Sequence, residues 1–114
     1  MAKRQIVPQT QTLDAARTLG VQIRTARHER GWTAAGLAAK VGVSARTIQA
    51  IEAGSVTTTI GTVFNAASVV GVPLFGVEDP DELARMRRRG EERLALIGQR
   101  VRHPKISEAD LANF

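Results

Sequence analysis

The side chains able to do covalent or proton chemistry in this chain stand apart from one another. The only histidines are His28 and His103. Neither has a second ligand at metal-binding spacing, and His28 falls on the polar face of a helical pattern. The serines Ser44, Ser55, Ser68 and Ser107 read as a helix cap, a loop residue or helix-surface residues. Carboxylates come close together only in the Glu78–Glu82 stretch and at Glu91-Glu92, both better explained by helix surfaces than by acid–base work. No glycine-rich phosphate loop occurs. There is no cysteine, which excludes disulfides and Cys-ligated zinc. The expectation is a protein that is not an enzyme and has no metal site and no cofactor.

Charge offers a different kind of chemistry. Lys and Arg number 16 against 11 Asp and Glu, a net charge of +5 with a sequence pI near 11.0. Such a balance on a small domain favours polyanions, nucleic acid or an anionic membrane surface. No apolar run is long enough to span a bilayer. Met1-Ala-Lys-Arg4 is followed by Ile6-Val7 and then Pro8, so no signal-peptide core develops. The lack of cysteine fits a reducing compartment, and the expected location is the cytoplasm. The length of 114 residues suits one domain with tails. At 43% hydrophobic but only 4% aromatic, its core must be aliphatic and rich in alanine.

The elements that would position a binding surface centre on Thr33–Gly54. Leu37, Ala38 and Val41 give one short helix an apolar stripe; Val43, Ile48 and Ile51 give a second. Gly42 lies between them, where a sharp turn needs the positive φ that glycine adopts cheaply. Ala38 is small where two helices approach closely. Thr33 and Ser44 are N-caps for the two helices, since a hydroxyl can accept from a free N–H of the first turn.

Around this pair the periodicity predicts further helices. Residues Met1 to Gln11 form a polar arm, in which Lys3 and Arg4 could reach along a nucleic acid. Leu13, Ala16, Leu19, Ile23 and Ala26 mark a helix to Arg30, with Thr12 as its cap, Gly31 as its stop and Trp32 at the hydrophobic contact beyond. A polar loop, residues 55–59, ends in a cap for a helix over 60–70. Its inner face is Ile60, Val63, Phe64, Ala67 and Val70; Gly71 and Pro73 end it. Leu74–Val77 is expected as a helical turn closing the core. Asp79 as cap and Pro80 at the first helical position start a last helix over 78–102. It carries Leu83, Met86, Leu94, Ile97 and Val101, and a basic run from Arg85 to Arg89. Gly90 and Gly98 each cost that helix roughly 1 kcal/mol against alanine. Residues 103–114 form a polar tail holding Ile106, Leu111 and Phe114.

Leu37-Ala38, Gly42-Val43-Ser44, Thr47-Ile48 and Ile51-Glu52-Ala53-Gly54 together resemble the helix-turn-helix of the Xre group, the family of the phage lambda repressor and Cro. The resemblance covers Leu13 to Phe75. It implies an all-α, lambda-repressor-like five-helix bundle over residues 12–77, here with an added C-terminal helix and tail. It also implies a homodimer on double-stranded DNA, with half-sites about one helical turn apart, roughly 34–36 Å. Matched by position, Ala45, Arg46, Gln49 and Ala50 face bases, with Ser44 at the helix start. Thr47, Thr33 and Ala34 face phosphates. Arg46 can donate twice to guanine and Gln49 can pair with adenine, whereas Ala45 and Ala50 offer only apolar contact. Members of the family often carry glutamine at the position of Ala34 and a long polar residue at that of Ala45, so part of the usual base code is missing. The resemblance further pairs Arg27 with Glu52, tying the second helix of the motif to the scaffold. An ordinary helical hairpin without DNA, serving as an adaptor, stays open as the alternative.

Residues 61–76 are similar to the corresponding helix of HipB-type antitoxins, regulators encoded beside HipA-type serine/threonine kinases. That narrower resemblance implies an antitoxin that represses its own operon and docks on a kinase, with Phe114 as the anchor. A stand-alone Xre-type repressor without a kinase is the other reading.

Overall fold

The computed structural model describes residues 6–102, with side chains described as far as residue 98. These residues form five helices and no strand: α1 (Thr10–Glu29), α2 (Ala34–Val41), α3 (Ala45–Glu52), α4 (Ile60–Val70) and α5 (Pro80–Arg102). The all-α class expected from the sequence is the class observed, in five helices, four of them in the first compact unit and α5 in the second. The chain divides into two compact units, Met1–Glu78 and Asp79–Phe114. Lys3 and Arg4 of the arm, and His103, Ile106, Ser107, Leu111 and Phe114 of the tail, lie outside the described residues.

In the first unit, each of four helices contributes an apolar stripe to one core. The buried residues are Ile23 of α1, Leu37 and Ala38 of α2, Ile48 and Ile51 of α3, Ala66, Ala67 and Val70 of α4, and Val72. Full burial of each Ile or Leu contributes about 1.5–3 kcal/mol. The alanines serve by being small and bring backbones together.

Helix ends follow local chemistry. α1 closes in a Schellman motif, in which Trp32 N–H donates to Arg27 O (3.1 Å) and Gly31 N–H to His28 O (3.0 Å), with Gly31 at φ 71°. Gly42, at φ 85°, makes the turn between α2 and α3, and its N–H donates to Ala38 O at 2.8 Å. Thr33 Oγ1 accepts from Gly36 N (2.9 Å) and Ser44 Oγ from Thr47 N (3.2 Å), so both caps are formed.

Four expectations need correction. α1 begins at Thr10 rather than after Thr12, with Gln9 in the cap position and no side-chain cap bond. Once past Pro8, the chain is free to enter the helix, and Leu13 N–H already donates to Gln9 O at 3.1 Å. Thr59 does not cap α4 through its side chain; its hydroxyl pairs with that of Thr62 at 2.8 Å. Ile60 is 70% exposed rather than inward, and Ala66 is buried instead. α4 therefore turns its Ala66–Ala67–Val70 face to the core, and its first residue projects past it. Leu74–Val77 is not a helical turn. It is a tight β-turn in which Val77 N–H donates to Leu74 O (3.1 Å), with Phe75 at φ 56° and Gly76 at φ 70°. Positive φ at both central residues is the type I′ pattern. Four residues after a proline are too few to nucleate a helix. Phe75 stands 70% exposed, its ring edge-on to Phe64 at 6.0 Å.

In the second unit, Asp79 Oδ1 accepts from Asp81 N at 2.9 Å at the start of α5. Glu82 binds Arg85 at 2.7 Å and Arg89 at 3.3 Å, and Arg87 pairs with Glu91. Those bonds, first the one from Arg85 and then the one from Arg89, hold the Glu82 carboxyl below its ordinary pKa. Much of the basic run is thus an exposed face with carboxylate partners along the helix. Met86, Leu94 and Ile97 are 38%, 67% and 48% exposed, so they are not core residues.

Candidate nucleic-acid interface

α3 is amphipathic over only two turns. Ile48 and Ile51 are buried, while Arg46 and Gln49 are exposed on the other side of the helix. Those two long polar side chains stand three residues apart, hence on one face. A guanidinium and an amide so placed can each present a planar pair of hydrogen-bonding groups outward. Ser44 at the helix start is exposed, and Thr47 and Ala50 are half-buried. Thr47 is partly engaged locally, since its hydroxyl lies 3.0 Å from that of Ser44. Thr33 is exposed at the start of α2. Ala34 and Ala45 lean on the core, so only part of each methyl faces outward.

α3 is held from behind by an ion pair. Arg27 Nε donates to Glu52 Oε2 at 2.7 Å and Nη2 to Oε1 at 2.9 Å. Its third nitrogen, Nη1, donates to the Trp32 carbonyl at 2.9 Å. The two side chains are 9% and 6% exposed. This fork-to-fork geometry joins Arg27, in the last turn of α1, to Glu52, the last residue of α3, across 25 positions of sequence. The bond to Glu52 raises the Arg27 pKa, and desolvation only partly opposes it. Among the described residues no buried side-chain nitrogen or oxygen lacks a hydrogen-bond partner.

Two further supports lie outside the apolar periodicity. Gly20 lies where α1 touches the backbone end of α3: a Cβ there would fall 2.6 Å from Ile51 O and 2.7 Å from Glu52 O. A glycine inside a helical pattern was the available signal, because it lowers helix stability and so points to a packing reason. Trp32 has Arg30 at 5.1 Å and Lys40 at 4.7 Å from its ring centre. Arg30 Nε also donates to Val70 O at 3.0 Å, which joins α1 to the end of α4. The signal here was a single tryptophan in a chain rich in cations.

A shallow groove of the first unit runs beside Leu19, Ile51, Val56, Ile60 and Phe64. Its lining is apolar apart from hydroxyls and carries no acid or base. No described helix is long and apolar enough to cross a membrane.

A family model described as a helix-turn-helix domain matches residues 18–86. The match spans well over half of the chain, and the protein belongs to that family. Its class is that of DNA-binding regulators, which are typically not enzymes. No curated protein and no solved structure matches the chain significantly.

Proposed function

We propose that the protein is a sequence-specific transcriptional repressor that binds operator DNA as a homodimer, with α3 in the major groove. The observation that carries this reading is the outward pair Arg46 and Gln49 on a helix whose other face is locked to the core. Arg46 donates to guanine O6 and N7, Gln49 pairs with adenine, and Ala50 with the exposed part of Ala45 makes apolar contact. Thr33, Ala34, Ser44 and Thr47 lie along the phosphates at the starts of α2 and α3, where free N–H groups favour anions. The net charge of +5 supports the electrostatic part of binding. Such a protein works in the cytoplasm, where its target lies.

The test is selection from randomised duplexes, followed by titration of the winning sequence at several salt concentrations. Enrichment of a palindromic site, with affinity falling steeply as salt rises, is the expected result. Equal affinity for every duplex, or none for any, overturns the reading. The narrower role of a HipB-type antitoxin is supported by the resemblance of residues 61–76. Co-expression with a neighbouring kinase frame tests it, with capture of the kinase expected and its failure to bind contradicting the antitoxin role.

A further inference from the structure

A homodimeric repressor, as proposed, needs a surface that joins its two copies. α5 carries a self-complementary pattern centred on Gly90. Met86 and Leu94 stand four residues either side of that glycine, and Leu83 and Ile97 seven. These spacings put all five positions on one stripe of the helix. Met86, Leu94 and Ile97 are 38%, 67% and 48% exposed. Among the described residues nothing explains Gly90: a Cβ there would meet nothing within 4 Å, and its φ is not positive, so the helix does not need its conformational freedom. A small residue at the middle of an apolar stripe is explained when a second helix crosses there.

We infer that α5 pairs with α5 of a second copy, antiparallel, about a two-fold axis at Gly90. The axis sets Met86 against Leu94 of the other copy, and Leu83 against Ile97. It is an isologous interface, in which one patch meets itself. Charge selects the direction. A parallel pair lays Asp79, Asp81 and Glu82 beside their own copies and aligns the two helix dipoles. The antiparallel pair moves the two acidic starts to opposite ends. On one flank Arg87 comes level with Glu91 of the other copy. On the other flank Arg89 meets Arg93, and the bond from Arg89 to Glu82 at 3.3 Å softens that repulsion.

The chain has no cysteine, so engineered thiols can be read without background. Full-length chains bearing Met86→Cys or Leu94→Cys are oxidised alone and mixed, without DNA. The expected product is a disulfide between the two different chains, with little linkage of either chain to itself. Self-linked chains that exclude the mixed product establish the parallel pair and overturn the proposal. A chain that light scattering finds monomeric throughout overturns the two-copy reading as well, whereas a dimer that none of these thiols links places the interface elsewhere. Gly90→Ala is the second arm. It favours the isolated helix but blocks close approach, so the dimer should dissociate at higher concentration while helix content is kept. Unchanged or tighter association of Gly90→Ala removes the crossing point. DNA affinity, measured separately on the selected duplex, tells failure of this interface from failure of the repressor reading.

Discussion

Glu52→Gln keeps the shape of the side chain and removes its charge. In the folded protein it leaves Arg27 in a site where only 9% of the side chain is exposed. One of the two bonds to position 52 can survive as a bond to the amide oxygen; the other meets an N–H₂ group and is lost. Arg27→Met does the converse and strands the Glu52 carboxylate, 6% exposed. Breaking a buried pair from one side costs about 3–5 kcal/mol, because the remaining charge cannot recover its hydration. For a unit of this size a urea m-value of about 1–1.5 kcal/mol/M converts that loss into a midpoint lower by about 2–5 M. Total stability of small domains begins near 5 kcal/mol, so either variant should be close to unfolded in water. The double variant Arg27→Met/Glu52→Met removes both charges and should recover most of the loss, since apolar replacement of a buried pair is often near neutral. The raised Arg27 pKa means that the arginine's share is fully present below the ordinary arginine value and is lost as pH rises from there through the raised one. Alkaline buffers in the usual range therefore do not release it. Urea melts of the three variants decide the matter. Losses under about 1 kcal/mol in both single variants would mean an exposed-type pair and refute the reasoning.

Gly20→Ala should cost more than the small gain alanine brings to a helix, because its methyl would fall 2.6 Å from a backbone oxygen that cannot step aside; a melt showing equal or higher stability would disprove the close approach. The Glu82 carboxyl, held low by Arg85 and then Arg89, contributes stability above the ordinary glutamate range, near pH 4.3, and loses it as pH falls through its lowered value. A carboxyl titration by nuclear magnetic resonance should show its midpoint rising more in Arg85→Met than in Arg89→Met, and no rise in either would contradict the pairing.

What could be read from the sequence was local. Caps at Thr33 and Ser44, the glycine turn at Gly42 and the stop at Gly31 depend on neighbours within a few residues, and the helices follow from them. Arg27 and Glu52 are 25 residues apart, and only resemblance to a family joined them in the sequence. Ile60 and Ala66 show the limit of periodicity. A helix as apolar as α4 has more candidate faces than it can bury, and packing against α1 and α2 chooses. Leu74–Val77 departs from the expected helical turn because three apolar residues around a glycine carry no period. Its form is set by Gly76 and by Phe75 at positive φ, which composition alone does not announce. The inward lean of Ala34 and Ala45 likewise depends on how the two short helices pack.

In the proposed complex α3 reads base sequence through Arg46. The measurement is the affinity of wild type and Arg46→Ala for the selected duplex and for each of its single-base variants, at two salt concentrations. Arg46→Ala should lose roughly 1–3 kcal/mol of discrimination at one base pair of each half-site, with the other positions still distinguished. A loss that is uniform across all sequences, with a salt slope reduced by about one phosphate contact, would make Arg46 a backbone contact and contradict the claim.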